Sequence, residues 1–213
     1  MVTLQARQLN LEEVEDLLGF QVRYDGSFTS FLTLEPITDT ERQELIKIRD
    51  DFHPYLKRQA LEGQIRLIAV TPILRLAGFY HPSIQIEVET NIAPINIDLD
   101  DMQITGRLDI LAVSSQQKTP TNTDLWILVI ETKKVQASMV VGLPQLLVYA
   151  YKSLEHQESV WGVVTNGSEY QFVYVQRGSP PTYLRMPFLN IFDRSSAQQL
   201  LQVFKALAGC ISS

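Results

Sequence analysis

The chain has 213 residues, 45% hydrophobic and 20% charged, with 10 glycines and 10 prolines, which excludes a disordered, collagen-like or low-complexity protein and suffices for a real core in a single domain, 1–213. Its net charge of −6 argues against nucleic-acid binding by bulk electrostatics, so any phosphate contact must be local or made through divalent cations. A lone Cys210 and the scattered His53, His81 and His156 exclude a disulfide and any Cys/His zinc spacing, and without a secretory leader or an apolar run near the roughly 20 residues of a membrane span, a cytoplasmic location is expected.

Residues 9–18 space Leu9, Val14, Leu17 and Leu18 as a short amphipathic helix ended by Gly19. Residues 21–34, rich in Val, Tyr, Phe and Thr around Asp25-Gly26, predict a hairpin, and residues 1–35 read as an amino-terminal decoration. Thr38 and Glu41 have capping-box spacing before a helix carrying Leu45, Ile48, Phe52 and Leu56, with Pro54 marking a kink. A second helix is expected over 56–77, interrupted by Pro72 and stopped by Gly78, with Glu62 beside its apolar face.

Three β-rich runs follow, 84–92, 104–113 and 125–133, separated by connections containing Pro94, Asp98 and Asp100 and by the loop 114–124. Residues 125–130 are apolar at every position, as suits a central strand covered on both faces. A helix with Pro144 in its first turn comes next, then a hairpin around Asn166-Gly167 and a closing helix over 195–208.

Glu131 and Lys133 end the most apolar strand and, two apart, emerge on one face. Charge at that position is costly unless it meets a metal, a counter-ion or water, although strand ends also turn polar simply where solvent begins. Asp109 lies in the preceding run and approaches Glu131 if the two strands pair; two carboxylates and a main-chain carbonyl would suit Mg²⁺, or Mn²⁺ in its place. The plain alternative for Asp109 is a turn or salt-bridge residue beside Arg107.

Gly106-x-x-Asp109, Glu131-x-Lys133 and Gln145-x-x-x-Tyr149, in this order, resemble the PD-(D/E)XK nuclease superfamily. The last motif is similar to RecB-like nucleases, and the helix from Glu62 through Phe79 to the nuclease domains of type I restriction motor subunits. The resemblance covers residues 56–175 and implies an α/β fold with a restriction endonuclease-like core, a mixed central sheet of about four or five strands flanked by helices. It makes Asp109 and Glu131 metal ligands with the Thr132 carbonyl open as a third, Lys133 the residue that orients or activates water, and Glu62 a supporting carboxylate of the metal.

Glu87 and Glu89 compete with Glu62 for that role, and a surface pair with Arg66 explains Glu62 equally well. Gln145 and Tyr149 share a helical face and would brace the metal-site residues or touch DNA backbone; Lys118, Lys134 and Lys152 are phosphate contacts or merely solvated. The implied activity is Mg²⁺-dependent hydrolysis of DNA, endonuclease before exonuclease, and its rival is an inactive nuclease-fold module for DNA or protein binding. No phosphate-binding glycine loop is present, so translocation would need a separate motor or methyltransferase partner; a homodimer would suit double-strand cleavage.

Overall fold

The computed structural model describes residues 2–97 and 102–210; Asp98 and Asp100 lie outside the described residues. Strand β1 (Val2–Gln5) leads into helix α1 (Leu11–Leu18), where the Asn10 and Glu13 side chains cap each other's amides and Gly19 closes the helix in the left-handed conformation. No hairpin forms over 21–34. Instead β2 (Gln21–Arg23) pairs in parallel with a strand near residue 183, and residues 28–30 form a 3-10 turn. Gly26 serves close approach rather than a turn, because a Cβ there would stand 2.5 Å from the Arg185 carbonyl oxygen.

Helix α2 (Asp39–Lys57) starts with the expected Thr38/Glu41 box. The helix expected over 56–77 breaks after Lys57 and resumes as α3 (Glu62–Ile65), which passes through a π-helical turn (Arg66–Val70) into α4 (Thr71–Leu76). Pro72 therefore does not interrupt it: the wide turn just before it accommodates a ring that would otherwise press on the carbonyl four residues back. Gly78, at φ 93°, ends the segment.

Strand β3 (Ile84–Val88) is followed by β4 (Ile95–Ile97) and β5 (Met102–Thr105). The run 104–113 is thus two strands, because the chain leaves β5 at Gly106 and enters β6 (Ile110–Lys118) only after Asp109. Apolar residues continue across the break, since Leu108 is buried without belonging to a strand, and this hid it in the sequence. Next come β7 (Asp124–Thr132), α5 (Leu143–Ser153), β8 (Ser159–Thr165), β9 (Glu169–Gln176), β10 (Thr182–Arg185), β11 (Leu189–Asn190) and α6 (Arg194–Gly209). The loop between β6 and β7 shrinks accordingly to residues 119–123.

Among the described residues the protein is mixed α/β with an eight-stranded sheet, larger than the four or five strands expected, in the order β2-β10-β9-β8-β7-β6-β3 with β11 on β9. A separate three-stranded sheet runs β1-β5-β4. The excess is β10 and β11, which join on their sequence neighbour β9, and β2, which joins on β10 far along the chain, a pairing that no local pattern announces. Strand β7 is central, antiparallel to β6 and parallel to β8, and α5 is the crossover that the parallel pair requires.

Alternation along the strands builds a core on each face. Ile110, Ala112, Leu128 and Ile130 pack with α2, α4 and α6, while Leu111, Val113 and Val129 pack with α1, α5 and the small sheet. Gly162 lets α5 lie close on β8, where a Cβ would meet Leu146 at 2.8 Å. No helix of the described residues is long and apolar enough to cross a membrane.

Candidate active site

Ile110 pairs with Ile130, so Asp109, one residue before β6, meets Glu131 and Thr132 at the end of β7. The Asp109 Oδ2 atom accepts the Thr132 amide at 2.8 Å and the Thr132 hydroxyl, and Oδ1 accepts from the Arg66 guanidinium at 2.5 Å. Glu131 and Lys133 emerge together as their spacing requires, and Lys133 Nζ donates to Glu131 Oε1 at 2.7 Å and to Gln145 Oε1 at 2.9 Å. The chain of bonds continues from Gln145 Nε2 to the Tyr149 hydroxyl at 2.7 Å and from that hydroxyl to the Arg107 carbonyl at 2.8 Å. Gln145 and Tyr149 therefore brace the centre from one turn of α5.

Two glycines make this packing feasible. A Cβ on Gly106 would stand 2.8 Å from Tyr149 Cε1, and one on Gly142 would stand 3.1 Å from Lys133 Cε. Together these residues line a cleft whose wall also carries Glu62, Gln5, Arg7, Asn91 and Arg107.

Glu131 is only 2% exposed, and burial pushes its carboxyl up to about 8, with repulsion from Asp109 and then Glu62 adding to what the Lys133 ammonium offsets. Its Oε2 atom is buried and finds no hydrogen-bond partner among the described residues. Burial, with the Glu131 charge second, also pushes the Tyr149 phenol up, so that it remains a donor. Two facing carboxylates, one with an orphaned buried oxygen, are a hard-oxygen set that a divalent cation would satisfy. They do not include a third acid: among the described residues no group of three or more His, Cys, Asp or Glu is placed to hold an ion.

Glu62 lines the cleft but is not paired with Arg66, which instead bridges Asp109 and, at 3.1 Å, Glu89. Nor does Asp109 pair with its neighbour Arg107, which reaches Glu89 at 3.4 Å. Glu89 is therefore committed to two arginines at the rim, and Glu87 faces a different cavity beside Trp126. Lys118 is paired with Asp124 and Lys152 with Glu155, whereas Lys134 is exposed.

Sequence reasoning weighed Arg66 and Arg107 only as partners of Glu62 and Asp109, and gave Gln5, Arg7 and Asn91 no role. The register of β1 on β5, Gln5 opposite Thr105, carries Arg7 to the cleft, and the isolated Asn91–Arg107 bridge brings Asn91 there. The available signal was one of spacing, Arg66 four residues after Glu62 and Arg107 two before Asp109. No protein-family model matches the chain, and no curated protein matches it.

Proposed function

We propose that this chain is a metal-dependent nuclease with a restriction endonuclease-like core of the PD-(D/E)XK type, and that it hydrolyses DNA phosphodiester bonds, as an endonuclease before an exonuclease. The observation that carries the reading is the junction of Asp109, Glu131 and Lys133 at the end of the central strand, with the orphaned Glu131 Oε2 aimed at no protein group. Asp109 and Glu131 would hold Mg²⁺, or Mn²⁺ in its place. The Thr132 carbonyl and Glu62, which lines the same cleft, are the candidates to complete the shell, Glu62 only if its side chain swings inward. When bound, such an ion supplies a water of lowered pKa and offsets charge on the phosphate.

The protein's own groups do the rest. Lys133 is held by Glu131 and Gln145, so its ammonium has a fixed place beside the carboxylates and can steer a water proton or steady developing negative charge. Gln145 and Tyr149, both buried, fix Lys133 and the Arg107 carbonyl and so keep the approach to Asp109 in register. Arg7 and Arg107, exposed on the wall of the same cleft, give a net-acidic chain the local positive charge that a phosphate backbone needs. A separate motor or methyltransferase, or a second copy of the chain, would supply translocation or the second strand cut.

One observation favours a second reading, an inactive nuclease-fold module: both oxygens of Asp109 already have protein donors. The two readings separate in a cleavage assay on linear, circular and single-stranded DNA with Mg²⁺, Mn²⁺ or EDTA, run beside Asp109→Ala. Metal-dependent cleavage that disappears in the variant is expected. Cleavage that survives the substitution belongs to a contaminant, and no cleavage together with no Mn²⁺ binding leaves the module.

A further inference from the structure

Asp109 and Glu131 stand differently towards a cation. Glu131 Oε2 is buried and free of any partner among the described residues, so no protein group there needs to leave. Asp109 has donors on both oxygens: the Thr132 amide and hydroxyl fill Oδ2, and the Arg66 guanidinium sits on Oδ1, where its positive charge opposes a cation on the same atom. The Thr132 amide is held in β7, and its hydroxyl sits on the same oxygen, whereas Arg66 reaches Oδ1 from the π-helical turn of a different element, 43 residues away, on a long side chain. Of the groups on Asp109, Arg66 is the one that carries a charge opposing a cation and can withdraw without moving β7.

Arg66 also has somewhere to go. Its second nitrogen is already 3.1 Å from Glu89, whose backbone amide donates to the Asp109 carbonyl at 3.0 Å. Glu89 adopts φ 53°, a left-handed conformation that disfavours a side chain and that the surrounding contacts must impose. The carboxylate that shares the guanidinium is thus fixed beside the one that would bind metal. Arg66 is 22% and Asp109 16% exposed, so the pair is shielded enough to matter and open enough to exchange.

We infer that Arg66 is the resident counter-cation of Asp109, which a divalent ion must displace, and that it thereby sets how much metal the site requires. This rests on the nuclease reading above for the metal but concerns a residue to which that reading gives no role. The guanidinium stands in for the ion's charge while metal is scarce, keeping two facing carboxylates compatible in one cleft. When metal is plentiful the guanidinium yields Asp109 and keeps Glu89. Arg66 is a positioning residue, acting through Asp109.

The test is Mn²⁺ binding by calorimetry to the whole chain, with wild type, Arg66→Gln, Arg66→Lys and the double variant Arg66→Gln/Asp109→Asn, each checked for folding by circular dichroism. Arg66→Gln is expected to bind Mn²⁺ about tenfold more tightly, because a shielded charge pair no longer competes. Arg66→Lys should fall back towards wild type, and the double variant should lose the gain. Equal or weaker binding by Arg66→Gln, with wild type binding normally, overturns the inference and leaves the nuclease reading standing. Absence of Mn²⁺ binding by wild type and Arg66→Gln alike brings down both. Should Arg66→Gln misfold, phenylglyoxal modification of wild type, mapped by mass spectrometry, decides: Mn²⁺ should speed reaction at Arg66 several-fold, and an unchanged rate overturns the inference.

Discussion

The hydroxyl of Tyr149 donates to the main-chain carbonyl of Arg107 at 2.8 Å, fastening the crossover helix α5 to the residue two before Asp109. The approach to β6 is held by an isolated bridge to Asn91 and by main-chain bonds to residues 89–92, and the Tyr149 hydroxyl adds a donor for the Arg107 carbonyl. Tyr149 is 1% exposed and also receives the Gln145 amide, which places it in a buried relay rather than on a helix flank.

Tyr149→Phe should therefore cost more than a typical conservative change. It leaves a carbonyl and a buried amide donor without partners, a penalty of about 1–3 kcal/mol. Urea denaturation should show a lower midpoint with an unchanged slope; a midpoint equal to wild type would mean that water replaces the hydroxyl and that the tether is dispensable.

Glu131 makes metal-free stability depend on pH. Its folded pKa of about 8 lies above the roughly 4.3 of an unfolded glutamate, so the folded state holds the extra proton between those values. The contribution is fully present below about 4.3 and is lost as pH rises through about 8, so stability in EDTA should fall over that window. Glu131→Gln keeps an acceptor for Lys133 without the ionisation. Its melting temperature should gain on wild type progressively from pH 5 to 9, and parallel profiles for the two proteins would refute the assignment.

The candidate site was legible because its signals are local. An uninterrupted apolar strand ending in Glu131 and Lys133, a period of two, and an i,i+4 pair on a helix each depend only on neighbouring residues, and the side chains indeed meet. Cover on both faces was legible for the same reason at 125–130, apolar at every position, where Leu128 and Ile130 enter one core and Val129 the other. What escaped depends on contacts across the chain. Arg66 reaches Asp109 over 43 positions, and β2 finds β10 across most of the sequence. Asp25-Gly26 misled because a glycine admitting a neighbouring carbonyl looks the same, in sequence, as one making a turn.

Gly106 should be intolerant of a methyl group although its backbone is ordinary. A Cβ would stand 2.8 Å from the Tyr149 ring and 3.0 Å from Ala6 Cβ, both buried, and overpacking of this kind costs about 1–3 kcal/mol. Gly63 in α3 provides the opposite case, since nothing lies within 4 Å of its added Cβ. Gly63→Ala should hold or raise the unfolding free energy, by up to about 1 kcal/mol, while Gly106→Ala lowers it, and the melting temperatures should move in the same directions. Equal effects would show that the Tyr149 ring yields freely.

On the proposed nuclease reading, Lys133 separates chemistry from metal binding. Its ammonium is 14% exposed and is held by Glu131 and Gln145, so substitution removes a positive charge beside the carboxylates without removing a ligand. In Lys133→Met the Glu131 carboxyl loses the one partner that lowers its pKa, which keeps it neutral to higher pH and limits the cost to folding. Mn²⁺ binding at pH 8.5 should persist, weakened at most by that retained proton, while turnover at saturating metal and DNA falls by about 100-fold or more, the scale on which a positioned proton donor or charge acts. A loss confined to KM would assign Lys133 to substrate binding. Cleavage at the wild-type rate would remove it from the mechanism and leave Asp109 and Glu131 to act without it.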